Sequence, residues 1–406
     1  MLTPDAVVIG AGPAGLAAAQ RLNASGLTSL VLDKADAVGA VWRRHYDRLH
    51  LHTPRIHSSL PGLRIPSAYG RYPSRAQFVD YLESYAKRFK LAPTFNAPVA
   101  AVKRDGEAWR VEAGEHSART PIVVVATGWA DFPNQPRWPG MADFQGDILH
   151  SSAYRNGAPY AGKRALVVGF GNSGAEIALD LCEAGADVTL SVRSPVRILP
   201  RDLLGVPIVS FAIAQRFLPA RVADAINAPI LRMSVGSIEK LGLKKAAKGP
   251  MQMIEEDGRV PVLDIGAVKK IREGKIKARG AIERFTPKGV VFAGGGSEPF
   301  DAVILATGFR PDLRALLPDA QGVLDAQGRP LASDQPTAQP GLYFVGAIAS
   351  PTGVLREIRL GATRVGAEAR RFLAEERTSF AGRGGQGDSS QNAPTSGLAV
   401  RPLRRA

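Results

Sequence analysis

The chain of 406 residues holds one cysteine, Cys182. A single thiol excludes an internal disulfide, a Cys-x-x-Cys redox pair and a multi-cysteine zinc or iron–sulfur site. It suits a reducing compartment. A long hydrophobic run is also missing. The most apolar later stretch, Leu203 to Ala214, is short and broken by Gly205 and Pro207, whereas a membrane-spanning helix needs ~20 apolar residues. The N-terminus, Met1-Leu2-Thr3-Pro4-Asp5, has no basic region, and the apolar run behind it stops at Gly10. No secretory signal is expected, and a cytoplasmic location is. Dense basic blocks are absent as well. Fifty-two Lys and Arg against 37 Asp and Glu give +15, and the last thirty residues supply only five Arg and one Asp of that balance. With no basic run interleaved with aromatics, nucleic acid is not an expected partner.

Glycine is what the chain has in excess, 43 residues, and much of it falls in one repeated unit. Ala6-Val7-Val8-Ile9 reads as a buried strand. It is followed by Gly10-Ala11-Gly12-Pro13-Ala14-Gly15, an Ala/Leu-rich helix to about Asn23, a stop at Gly26, and a second strand, Ser29 to Leu32, ending at Asp33 with Lys34 beside it. The same grammar returns 159 positions later. Ala165 to Val168 precedes Gly169-Phe170-Gly171-Asn172-Ser173-Gly174, then a helix to about Glu183, Gly185, and a strand ending at Arg193. Each is the βαβ pattern of a dinucleotide site. The first glycine allows the tight turn, the second lets backbone approach a pyrophosphate, and the third lets helix pack on strand; the helix N-terminus adds free N–H groups. Asp33 stands where an acid binds ribose hydroxyls. The second unit has Arg193 in place of the acid, which pairs with a 2′-phosphate and predicts NADPH over NADH. A solvated surface arginine is the alternative. Asn172 and Ser173 are placed to meet phosphate. A basic protein also attracts such multiply anionic ligands.

Between the units, Ser74-Arg75-Ala76-Gln77 reads as a capping box opening a helix with Phe78, Leu82, Tyr85 and Phe89 on one face. Two buried strands, Pro121 to Ala126 and Ala302 to Ala306, run into Thr127-Gly128 and Thr307-Gly308. Both are expected to be exits where the chain crosses between domains.

Phe144-Gln145-Gly146-Asp147-Ile148-Leu149-His150-Ser151-Ser152-Ala153-Tyr154-Arg155 matches the F-x-G-x-x-x-H-x-x-x-[FWY]-[KRP] type of fingerprint just ahead of the second glycine turn. The chain thereby resembles the class B flavin-containing monooxygenases. It is most similar to the YUCCA-type enzymes, through Tyr72-Pro73-Ser74, Ser191-Val192-Arg193-Ser194, Leu199-Pro200-Arg201, Pro261 to Gly266 and Leu305-Ala306-Thr307-Gly308-Phe309. The likeness covers about residues 5 to 375. It implies an α/β fold of two Rossmann-like dinucleotide-binding domains, the NADPH domain inserted in the FAD domain. The expected spans are 1–158 with 291–377 for FAD, 159–290 for NADPH, and a disordered tail over 378–406, where apolar residues are few.

The resemblance further implies FAD and NADPH as cofactors, O2 and a small molecule as substrates, and oxygen transfer from a C4a-hydroperoxyflavin. The flavin does the chemistry, so no catalytic acid or base is assigned. The expected cofactor-binding residues are Gly10, Gly12, Pro13, Ala14, Gly15, Asp33, Lys34, Val41, Trp42, His52, Thr53, Thr127, Gly169, Gly171, Asn172, Ser173, Gly174 and Arg193. Val41 and Trp42 belong to the segment Gly39-Ala40-Val41-Trp42, similar to the family's G-G-x-W beside the flavin. Trp42 as a core residue is the alternative. His52 and Thr53 lie in Leu49-His50-Leu51-His52-Thr53-Pro54, the counterpart of a strand passing the isoalloxazine. His50 and His52 also invite a metal reading, since alternate strand residues share a face; polar packing near FAD is preferred, and no metal is expected. His150 and Tyr154 are read as organisers of the domain linker.

The insert Leu203 to Met253 is expected to form helices capping the NADPH domain, with a substrate lid or membrane-surface contact as alternatives. The YUCCA likeness suggests oxidative decarboxylation of an aryl 2-oxo acid such as indole-3-pyruvate, a basic side chain holding the carboxylate. N- or S-oxygenation of a soft nucleophile and a non-enzymatic redox sensor are the other readings. A flavin-linked disulfide reductase lacks its dithiol. Oligomeric state is open, a homodimer included.

Overall fold

The structure, a computed structural model, describes residues 1–384. Four short parallel strands form the first sheet, in the order Leu342–Phe344, Ile122–Val125, Ala6–Ile9, Ser29–Leu32. Ile9 pairs with both Leu32 and Val125, so the strands end at one level and their C-terminal edge forms a rim. All four residues of Ala6–Ile9 and of Ile122–Val125 are buried, as near-continuous apolar runs in a parallel sheet require. Helix Pro13–Ala24 lies on one face with the last helix, Val354–Gly384. The two approach so closely that a Cβ on Gly366 would sit 2.9 Å from that of Arg21. The capped helix Arg75–Arg88 joins this layer, and Phe78, Leu82 and Tyr85 are fully buried in it. A three-stranded antiparallel sheet, Ala101–Asp105, Ala108–Glu112 and Ala118–Thr120, closes the other face around Trp109.

The second sheet has five parallel strands in the order Ile276–Arg279, Asp187–Ser191, Arg164–Val168, Ala302–Leu305, Asp147–His150. Helix Asn172–Glu183 covers one face, and the antiparallel strands Ile282–Thr286, Gly289–Phe292 and Ser297–Pro299 cover the other. The boundaries expected at 158/159 and 290/291 are therefore displaced. Asp147–His150 and Ala302–Leu305 belong to the second sheet, so this unit begins before residue 147 and ends after 305. The glycine repeat marks the nucleotide turn, whereas the sheet is completed by strands whose register is set in space. The crossings lie at Thr127-Gly128 and Thr307-Gly308, and the segments after them pair with each other. The Asn134 N–H donates to the Gly308 carbonyl at 2.9 Å and the Arg310 N–H to that of Phe132 at 2.8 Å.

The insert forms helices Ile208–Ala214, Ala220–Val235 and Pro250–Asp257. Asp224, 9% exposed, accepts from the N–H groups of Met251 at 2.9 Å and Gln252 at 3.0 Å. One helix thus caps the next, satisfying donors that a helix start leaves open. The expected tail is helical from 378 to Gly384, where a run of good helix formers from Ala367 carries the last helix onward; 385–406 lie outside the described residues. No helix among the described residues is long and apolar enough to cross a membrane.

Candidate functional site

The two glycine turns are near copies. Gly10 has φ +112° and Gly169 has φ +105°, a region costly for any residue with a Cβ. Their added Cβ atoms would fall 2.6 Å from the Ala126 carbonyl oxygen and 2.5 Å from that of Ala306. Gly15 and Gly174 allow the helices to approach the turns. A Cβ there would lie 1.7 Å from the Gly10 oxygen and 2.1 Å from the Gly169 oxygen. Gly12 and Gly171, by contrast, have nothing within 4 Å of a built Cβ. Both are helix N-caps without a side-chain cap, and neither helix has an acid in its first turn. Helix Arg75–Arg88, away from the turns, has the full capping box. Open space above uncapped N–H groups fits a phosphate group at each turn.

One cavity of about 850 Å³ runs from the first turn to the second and on to the insert, at the large end of the ~300–1,000 Å³ usual for ligand sites. Of the expected residues, Gly10, Gly12, Pro13, Ala14, Asp33, Lys34, Val41, Trp42, His52, Thr53, Thr127, Asn172 and Ser173 line it. Gly15 and Gly174 lie behind it as packing positions. Gly169, Gly171 and Arg193 also lie outside its lining. Asp33 closes the first turn as well as facing the cavity. Its Oδ2 accepts from the Ala11 N–H at 2.5 Å and Oδ1 from that of Ala35 at 2.8 Å. Lys34 pairs with Asp131 at 3.3 Å. The Trp42 ring packs edge-on to Phe78 with centroids 4.5 Å apart, and the residue also lines the cavity.

Three expectations change. Asn172 lines the cavity, but most of its amide is engaged elsewhere. Its Oδ1 accepts from the Leu263 N–H at 2.7 Å and its Nδ2 donates to the Pro261 carbonyl at 3.4 Å, so the side chain holds the 261–263 loop. His50 and His52 do not share a strand face, because residues 51–54 are irregular. His50 Nδ1 donates to the Arg48 carbonyl at 2.7 Å, whereas His52 Nε2 bonds Glu176. No group of three or more His, Cys, Asp or Glu suited to a metal occurs among the described residues. The insert does more than cap: Phe211, Gln215, Asn227, Leu231, Met251 and Ile254 form a wall of the cavity. Arg193 is exposed at the end of strand Asp187–Ser191 and has no hydrogen bond or ion pair to a described residue.

His150 and Tyr154 stand away from the cavity. The Ser152 N–H donates to His150 Nδ1 at 3.1 Å, which places the ring proton on Nε2, where it donates to the Gly308 carbonyl at 3.1 Å. The Tyr154 hydroxyl donates to Asp180 at 2.6 Å, and burial pushes its pKa up. These side chains tie the second crossing and the second helix together.

Sequence reasoning missed a buried polar cluster where the units meet. Glu176 is 1% exposed and Tyr46 2%. Burial holds the Tyr46 phenol well above its usual range, and the Glu176 carboxylate adds to this. Burial, then Arg155 and Arg75, hold His45 below the usual imidazole range. The available signal was Glu176 itself, an acid set between the apolar Ala175 and Ile177.

A family model described as pyridine nucleotide-disulphide oxidoreductase matches residues 7–202. The chain is 42% identical over 330 residues to indole-3-pyruvate monooxygenase YUCCA1 of Oryza sativa subsp. japonica, covering 80% of this chain and 81% of that protein. Against indole-3-pyruvate monooxygenase YUCCA6 of Arabidopsis thaliana it is 38% identical over 352 residues, covering 84% of each. A flavin-containing monooxygenase from Stenotrophomonas maltophilia superposes with a TM-score of 0.68 at 28% identity, over 91% of this chain and 99% of that one. An oxidized steroid monooxygenase bound to NADP, 21% identical, shares the fold with a TM-score of 0.72 over 93% of this chain and 86% of that one.

Proposed function

Since this chain belongs to the YUCCA family of flavin-dependent monooxygenases, we propose that it uses FAD and NADPH to decarboxylate an aryl 2-oxo acid of the indole-3-pyruvate type. The balance is R–CO–COOH + O2 + NADPH + H⁺ giving R–COOH + CO2 + NADP⁺ + H2O. The carrying observation is that a single cavity is bounded by the first glycine turn, by Asn172 and Ser173 at the helix start of the second, and by the apolar wall of the insert. Gly12 and the helix start behind it would take the FAD pyrophosphate, Asp33 the ribose, and Trp42, His52 and Thr53 the ring. Gly171, Ser173 and Arg193 would take NADPH. Bound flavin supplies hydride acceptance and dioxygen activation, which no side chain here offers.

The substrate end is set by the insert. Phe211, Leu231, Met251 and Ile254 offer an aryl group an apolar bed, and the polar lining of that wall is the pair Gln215–Asn227. These amides bond each other reciprocally, at 3.2 Å and 2.6 Å, and their spare N–H groups can donate to a carboxylate. No lysine or arginine of the insert lines the cavity, whose basic lining is Lys34 and Arg44 of the first unit, so at the insert wall a carboxylate would meet neutral donors. That same neutrality supports a second reading, N- or S-oxygenation of a soft nucleophile. Turnover under 18O2 with indole-3-pyruvate, an amine and a thioether separates them. One 18O atom in the shortened acid, with one CO2 per NADPH, supports the first. Labelled N-oxide or sulfoxide with no shortened acid refutes it.

A further inference from the structure

Glu176 has no part in the reaction as assigned above, yet its position is unusual. It lies one turn into helix Asn172–Glu183 among buried Ala175, Ile177 and Ala178. A carboxylate so placed is costly unless it is paired. Oε1 accepts from His52 Nε2, and the Tyr46 hydroxyl is a further polar group beside this carboxylate. His52 comes from the other nucleotide unit, 124 positions earlier. It lines the cavity, and its Nδ1 makes no hydrogen bond to a described residue. Tyr46, from the same unit as His52, lies against Glu176 and Ser173. The carboxylate is therefore walled by apolar helix on one side and by first-unit side chains on the other.

We propose that Glu176 is a positioning residue that holds the His52 imidazole as its Nε2–H tautomer, so that Nδ1 is presented to the cavity as a hydrogen-bond acceptor. A neutral imidazole has one N–H, and the hydrogen bond it makes on one nitrogen decides the role of the other. With Nε2–H committed to a buried carboxylate, the neutral ring accepts at the cavity through Nδ1; a ring carrying protons on both nitrogens would donate there, and that finding overturns the proposal. The neutral ring thus suits an N–H or O–H group arriving with cofactor or substrate. Donor and acceptor come from different units, so the ring is oriented only where the two units meet. The proposal rests on the reading of this cavity as the flavin site.

The test uses holoenzyme labelled with [15N]histidine. Six histidines give a tractable spectrum, and His52→Asn assigns the resonance. The wild type should show His52 as the Nε2–H tautomer. Glu176→Gln keeps the volume and removes the charge; its amide donates as readily as it accepts. It should lose the single-tautomer signature, as should Glu176→Ala. During turnover Glu176→Gln should raise the share of NADPH electrons released as H2O2 by roughly threefold or more, with the NADPH KM held within about twofold. An unchanged tautomer in both variants overturns the proposal. So does a raised NADPH KM with unchanged coupling, which would make Glu176 a nucleotide contact. A lower melting temperature alone would make it a packing residue. A wild-type protein that binds no flavin instead defeats the cavity reading, and the tautomer measurement still reports on the pair.

Discussion

The third and second glycines of the first turn should fail in different ways when each is replaced by alanine. At Gly15 the new Cβ would stand 1.7 Å from the Gly10 carbonyl oxygen. Relief requires helix Pro13–Ala24 to move off the turn by roughly 1.3 Å, and the obstacle is backbone with no rotamer to change. Overpacking of this kind costs about 3 kcal/mol, near the top of its usual range, or roughly 3–4 °C of melting temperature at this chain length. Gly12 is the opposite case. Its φ of −82° and ψ of −173° suit alanine, and nothing lies within 4 Å of the new atom. Gly12→Ala should melt within about 2 °C of the wild-type apoprotein, since the exchange costs a helix N-cap no more than about 1 kcal/mol. Its methyl group, however, occupies the space assigned to the pyrophosphate. A hydrogen bond to a charged group is worth about 1.5–3 kcal/mol, so two lost bonds at the low end weaken FAD binding roughly a hundredfold. Calorimetric melting of apoprotein and flavin titration by fluorescence read the two quantities. The reasoning fails if Gly12→Ala binds FAD within threefold of wild type, or if Gly15→Ala melts with it.

Arg193→Ala should raise the NADPH KM by about tenfold or more while leaving the NADH KM within about twofold, since a 2′-phosphate loses its guanidinium partner; steady-state kinetics with both nucleotides decide, and equal effects return Arg193 to the surface. Burial holds His45, His57 and His150 below the ordinary imidazole value in the folded protein. These groups are neutral when folded and take up protons on unfolding. Their contribution is complete above about pH 6.5 and fades as pH falls from there toward the lowered folded values. Melting temperature should therefore decline from about pH 6.5 toward 5, and a flat profile over that window refutes the assignment.

Much of the fold was written locally. Buried strand, glycine turn and helix occur twice with the same spacing, and Ser74 with Gln77 forms the capping box that the four residues spell. These features depend on neighbours in the chain, through backbone sterics and hydrogen bonds that reach three or four positions. Gly15 and Gly174 are set by their own turns, whereas Gly10 and Gly169 also meet Ala126 and Ala306 from distant strands. Asn172 shows where local reading ends. Its position at a helix start suggests phosphate, and nothing local shows that its amide also holds a loop 89 to 91 positions away.

The sequence by itself therefore determined two nucleotide turns, their helices and the acid or arginine at each second strand end. It did so because these follow from short-range conformational preferences and a side-chain period that any observer of the chain can count. Only the tertiary structure decided that Asp147–His150 and Ala302–Leu305 complete the second sheet, that the insert walls the cavity, and that Glu176 meets His52. Those outcomes come from burial shared between segments far apart in the chain, and apolar surface carries no label of the partner it will cover.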